Sequence, residues 1–178
     1  MTFNSSLNIV YNVEFTLFFV KRGDYRNNFL ENDSAFMRQA LDLAKQAASI
    51  EEVPVGAIVV ANGEVIGRGF NCPIDSKDPT AHAEIVAMRD AAKNRGNYRL
   101  SGCELYVTIE PCTMCLGAMV HARIKRVIFG APEPRSGAFV SNPMLMDADH
   151  LNHKLDWSGG VLEKDCSELM KGLFQGRG

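Results

Sequence analysis

The chain has no excess of either charge, no apolar run long enough to cross a bilayer, no internal repeat and no low-complexity tract. Its 19 Lys and Arg against 21 Asp and Glu leave a formal net charge of −2, which excludes a histone-like polyelectrolyte and leaves room only for a local basic patch. The apolar stretch Ile9 to Val20 is broken by Asn12 and Glu14, and it falls short of the roughly 20 residues that a spanning helix needs. Met1 to Asn8 carries no positive n-region, and Val20 is followed by Lys21-Arg22 rather than by a small-residue cleavage site. No secretory leader is read, so a cytoplasmic location and no membrane partner are expected. A disulfide framework is missing too. The five cysteines are odd in number, and a chain of 178 residues can bury about 70% of its unfolded surface without such staples. What is present, 46% hydrophobic and 22% charged residues, is ordinary for one globular domain and argues against disorder or a fibrous repeat.

Residues 1–33 stand apart. Val10, Phe15, Leu17, Phe18 and Phe19 suit a strand or an interfacial segment, and the run from Arg22 to Asn28 is polar and turn-forming. A poorly ordered N-terminal extension is expected there, with a docking element as the alternative, and one domain over 34–178. In that domain, Met37, Ala40, Leu41, Ala44, Ala47 and Ala48 recur at helical spacing behind a capping Asp33 or Ser34. Residues 53–60 read as a buried strand, Asn62-Gly63 as a two-residue hairpin turn, and 65–70 as the returning strand. A loop over 71–79 leads to a helix from Ala81 to about Ala92, then a strand over 104–109. A third helix is expected to start at Pro111 and run to about Ala122, because proline's fixed φ suits the first helical turn. A strand over 126–130, a Pro- and Gly-rich loop to Ser141 and a last helix from Glu163 to Phe174 complete the pattern. Strands alternating with helices predict an α/β sandwich, its mixed sheet antiparallel at the first hairpin and parallel later.

Two segments carry the chemistry: Thr80-Ala81-His82-Ala83-Glu84 and Glu110-Pro111-Cys112-Thr113-Met114-Cys115. Cys112 and Cys115, at i and i+3, fall on one face of a first helical turn, and His82 sits at the start of the other helix. Packed side by side, the two helix starts bring one imidazole and two sulfurs to a point. Three N and S ligands suit zinc, one per chain, and leave the fourth position of a catalytic site for water, whose pKa the metal can lower from 15.7 to about 7. The positive helix ends favour thiolate ligands. Glu84 separates catalysis from structure, because a structural site needs no carboxylate beside its histidine. Here that carboxylate can carry a proton from the water to a substrate nitrogen. Alone, H-x-E is common and C-x-x-C fits a redox pair, a structural metal or buried thiols. Together, about thirty residues apart and each at a helix start, they exclude the bland readings.

The H-x-E…P-C-x-x-C pattern is that of zinc deaminases acting on nucleobases, and the chain resembles bacterial tRNA-specific adenosine deaminases over 34–178. The resembling stretches are Glu52-Val-Pro-Val-Gly-Ala57, Gly69-Phe-Asn-Cys-Pro-Ile74, Asp78-Pro-Thr-Ala-His-Ala-Glu84, Asn97-Tyr-Arg-Leu100, Leu105-Tyr-Val-Thr-Ile-Glu-Pro-Cys112 and Gly117-Ala-Met-Val-His-Ala-Arg123. The resemblance implies a cytidine deaminase-like fold, a three-layer sandwich with a mixed five-stranded sheet flanked by helices. It also implies a homodimer that turns the wobble adenosine of a tRNA anticodon loop into inosine, with Asn71 touching the base or ribose. The chain departs from the family at Gly130-Ala-Pro-Glu-Pro-Arg-Ser-Gly137, where Glu133 replaces an aspartate placed near the RNA backbone and Arg135 replaces a lysine. A free-base or nucleotide deaminase of the same fold, or a non-catalytic zinc subunit that binds RNA, remains the alternative. His121 is expected to complement a helix dipole, and His150 and His153 to be solvated. Cys72, Cys103 and Cys166 read as packing residues. Arg89, Lys93, Arg95 and Arg99 read equally as a solvated face or as a phosphate-contacting rim.

Overall fold

The computed structural model describes residues Gly23–Tyr25, 30–143 and 151–175; the stretch Ile9 to Val20 and His150 lie outside them. In chain order the elements are β1 (Gly23–Tyr25), α1 (Asp33–Ser49), β2 (Gly56–Ala61), β3 (Glu64–Phe70), α2 (Pro73–Ser76) and α3 (Ala83–Arg95). There follow β4 (Glu104–Ile109), α4 (Thr113–Ala122), β5 (Arg126–Ala131), β6 (Asp156–Gly159) and α5 (Glu163–Gln175).

Alternation along the central strands builds two cores on one sheet. Ala57 and Val59 of β2, Leu105 and Val107 of β4, and Val127 and Phe129 of β5 pack against α3 and α4. Ile58, Val60, Tyr106 and Ile128 point the other way, toward Met37, Ala40 and Leu41 of α1 and Cys166 of α5. Period-two burial on both faces is what a sheet covered on both sides requires, and the result is the expected three-layer sandwich. The strand order is β1-β6-β5-β4-β2-β3, antiparallel for β3-β2-β4 and parallel from β4 through β6. Five strands make the expected mixed sheet, and the three-residue β1 adds a sixth, parallel to β6. The hairpin turn is where Asn62-Gly63 predicts it, both residues having positive φ (52° and 81°).

Several boundaries differ from the sequence expectation for physical reasons. β2 begins at Gly56 rather than at Val53, because Pro54 has no N–H and Val55 turns back to donate to the Val53 carbonyl at 2.8 Å. α4 begins at Thr113, with Cys112 as its extended N-cap, so Pro111 stands one residue before the cap. The Pro111 carbonyl is held instead by the Ala138 N–H at 2.9 Å. α2 lies inside the expected 71–79 loop and is too short to show periodicity. β3 has Gly67 and Gly69 where α3 crosses it. A Cβ on Gly69 would overlap the Ala83 carbonyl and the Ala87 amide, so the bare glycine lets the start of α3 sit directly on the sheet. Among the described residues no helix is long and apolar enough to cross a membrane.

Candidate active site

The parallel strand β4 delivers the chain to Glu110-Pro111-Cys112 at its carboxyl end, the usual place for function in such sheets. Cys112 is the N-cap of α4 and Cys115 is in its first turn; His82 is the N-cap of α3. The His82 Nδ1 lies 3.7 Å from each Sγ, and the two sulfurs are 3.7 Å apart. Among the described residues this is the one cluster of three such donors compact enough to share an ion. Tetrahedral zinc, with Zn–N about 2.0 Å and Zn–S about 2.3 Å, sets these donors about 3.5–3.8 Å apart, so the residues fit the metal.

The protons of this cluster divide unequally. The bond to Cys115 is the main cause that lowers the Cys112 thiol to about 4; burial opposes it and His82 adds to it. Cys115 moves the opposite way, raised by its bond to Cys112 and then by burial. The bond to Cys112 raises His82 against its desolvation. Burial raises the Glu84 carboxyl, and the negative Cys112 adds to that. A carboxyl held in apolar surroundings and biased toward its protonated form is suited to passing a proton in either direction.

Glu84 shares a cavity of about 170 Å³ with His82, Cys112, Asn71 and Glu133. Val53, Val55, Ile109 and Met170 give it an apolar wall, and Ser136 completes the polar side. The structure therefore brings together His82, Glu84, Cys112 and Cys115 with two of the three residues that the resemblance assigns to substrate. The third, Arg135, is exposed and does not line the cavity; its N–H is taken by the Glu133 carboxylate at 3.0 Å.

Two residues that the sequence did not single out as functional hold the walls. Glu110 is 3% exposed, and its carboxylate accepts the N–H groups of Glu133, Phe139, Val140 and Ser141 and the Ser141 hydroxyl. Burial alone would raise its pKa, but these donors outweigh burial and lower it. Glu52, 1% exposed, accepts the N–H groups of Ile74 and Asp75 at 2.7 and 2.9 Å and so pins the segment after Asn71. Each is a carboxylate beside a buried strand, a signal that a backbone partner must exist without saying which. The remaining histidines part ways: His121 is exposed in the last turn of α4, as the dipole requires, whereas His153 bonds the Ile124 carbonyl at 2.7 Å and is not simply solvated. Cys103 and Cys166 are buried and Cys72 half-buried.

Two helix starts presenting nitrogen and sulfur to one point, with a buried carboxyl alongside, define a zinc-dependent deaminase. Residues 30–131 match the family model described as the cytidine and deoxycytidylate deaminase zinc-binding region. The chain is 49% identical to a tRNA-specific adenosine deaminase of Haemophilus influenzae, over 83% of this chain and 86% of that one. It is 38% identical to that of Bacillus subtilis, over 82% and 91%. A solved structure from a study of A-to-I editing by tRNA:A34 deaminases at the wobble position superposes with a TM-score of 0.75 at 41% identity, covering 76% of this chain and 99% of its own. The chain belongs to the tRNA-specific adenosine deaminase family.

Proposed function

We propose that the chain converts the wobble adenosine of a tRNA anticodon loop to inosine by hydrolysis, releasing ammonia. The observation that carries this is the buried Glu84 carboxyl, which lines one small cavity with His82 and Cys112, two of the three metal donors. His82, Cys112 and Cys115 hold zinc, which supplies Lewis acidity and a water of lowered pKa. The chain's own residues do the rest. Glu84 takes a proton from the attacking water and gives it to N1 of the purine. It then takes the proton of the new C6 hydroxyl and delivers it to the amino group, so that ammonia leaves as the C6 carbonyl forms. The apolar wall of Val53, Val55, Ile109 and Met170 accepts the base face, and Asn71 offers its amide to the base or ribose edge. A cavity this small takes a base splayed out of a loop rather than one stacked in a helix. Glu133 and Arg135 stand on the adjoining loop, where the flanking nucleotides arrive.

A homodimer in the cytoplasm completes the proposal. Ile85, Met88, Met114 and Ala118 line an apolar concavity between α3 and α4, and the neighbouring Tyr98 is 66% exposed. A second copy is the proposed cover, and Ala118→Arg should shift the sedimenting species to a monomer. Purified chain given an anticodon stem-loop with adenosine at the wobble position should yield inosine and one ammonia per turnover. Ammonia release from free guanine or cytosine, with none from the RNA, would instead identify a free-base deaminase. Zinc binding without either product would identify a non-catalytic subunit.

A further inference from the structure

At the end of the sheet away from the metal donors, three connections meet: 99–102 entering β4, 123–125 entering β5, and 153–156 entering β6. They enclose a concavity of about 430 Å³. Its rim carries Arg99, Arg123, Lys125 and Lys154 against a single carboxylate, Asp156, in a chain whose net charge is −2. The two arginines are held in place. Arg123 closes α4 with a left-handed backbone, φ 62°, where glycine is the less strained choice, and its guanidinium donates to the Asn152 carbonyl at 2.7 Å. Keeping an arginine at that position retains a cation whose fork is anchored by one arm. Arg99 is anchored by its Nε to the Tyr98 hydroxyl at 3.0 Å and lies over that ring. Lys125 and Lys154 form no ion pair among the described residues. Two fixed guanidinium forks with two free ammonium groups suit phosphate, which takes bidentate and point-charge donors together.

We propose that this pocket binds a backbone phosphate in the helical arm of the RNA substrate, outside the loop being deaminated; the inference rests on the tRNA reading above. Strand β4, six residues long, sets the pocket about 20 Å from the metal donors. An A-form RNA duplex rises less per base pair than the roughly 3.4 Å of B-DNA and spans that distance in about seven pairs. The pocket therefore anchors the arm while the cavity reads the loop, dividing positioning from chemistry as phosphate and base contacts commonly do.

The test is filter binding of full-length tRNA across a salt series, with wild-type chain and with Lys125→Ala/Lys154→Ala. The double variant should weaken tRNA binding about tenfold at low salt and flatten the log–log salt slope by nearly 2, roughly 0.9 per lost contact. A minimal loop hairpin should bind wild type and variant alike. Lys125→Glu/Lys154→Glu should weaken tRNA further, with an unchanged melting temperature. If the variant keeps the wild-type affinity and slope, the proposal is overturned. Equal losses for tRNA and hairpin overturn it too, because the contact would then not lie in the arm. Inorganic phosphate that binds wild type and not the variant, with tRNA affinity unaffected, would overturn it in favour of a free-anion site. No turnover enters these measurements, so a failure to make inosine would sink the proposed function and leave this one standing.

Discussion

Two polar clusters, each with a buried carboxylate, lie along β4, one past its carboxyl end and one at its start. The first is His82, Glu84, Cys112 and Cys115; the second is Asp33, Tyr106, Arg126 and Ser158. In the second, both Asp33 oxygens meet the Arg126 guanidinium, at 2.7 and 3.1 Å, and the Tyr106 hydroxyl donates to Asp33 at 2.8 Å. Burial, then the bond to Asp33, keeps the Tyr106 phenol protonated far above its usual range. The Asp33 carboxylate is thus paired through both oxygens, and Glu104 approaches the same guanidinium at 3.5 Å. In the first, two thiols 3.7 Å apart are driven in opposite directions, Cys112 to about 4 and Cys115 upward, beside a carboxyl raised by burial. Buried charge is common to both clusters and identifies neither. What separates a site from a strut is the cavity that Glu84, His82 and Cys112 open onto together.

That contrast breaks first at the metal. Cys115→Ser should reduce inosine formation to the uncatalysed background, drop zinc well below one per chain by elemental analysis, and lower the melting temperature, because a bound ion stabilises the fold it binds. Glu84→Gln should cost about 10²–10⁴-fold in kcat with zinc near one per chain. A Glu84→Gln variant of wild-type rate would mean that the carboxyl is another strut.

Glu110 sharpens the comparison, since it is paired as fully as Asp33 yet stands at the reactive end. Its five donors come from the 133–141 loop that supplies Glu133 and Ser136 to the cavity. Glu110→Ala should lower kcat/KM for RNA by up to about 10²-fold through a misplaced wall, with zinc content retained. Loss of zinc together with activity would place Glu110 in the metal site itself.

The metal cluster could be read from the sequence because its spacing is local: i,i+3 for the sulfurs and a histidine two residues before its glutamate, each at a helix start. The sheet is legible through β5 because strands covered on both faces are near-continuous apolar runs, as in β2 and β5. The polar devices that hold the pocket were not legible. Glu110 reaches partners 23 to 31 residues away, Glu52 partners 22 and 23 away, and Asp33 an arginine 93 away, and no periodicity links such positions. β6, with Asp156-Trp157-Ser158-Gly159, carries no alternation and is a strand because β5 pairs with it.

Asp33→Ala tests the strut directly. Removing the two-oxygen partner of a buried guanidinium, which keeps the Glu104 carboxylate at 3.5 Å, should cost up to about 3 kcal/mol of stability in a denaturant titration, while kcat at low temperature stays near wild type. If activity fell and stability did not, the second cluster would belong to the site after all.

The smallest effect expected is at the N-terminus, and it depends on where the cut is made. Gly23–Tyr25 pairs along β6, and Asp33 is the carboxylate of the second cluster. Removing residues 1–22 touches neither and should leave deamination within a few-fold of intact. Removing 1–33 deletes the β1 pairing and takes Asp33 from Arg126, so it should carry the stability loss of Asp33→Ala, with the metal cluster intact in whatever chain folds. Melting curves and zinc content of the two truncations separate the outcomes. Equal stability of both would show that the strut at the start of β4 contributes nothing, whereas loss of zinc from the shorter cut would make the N-terminus part of the reactive end.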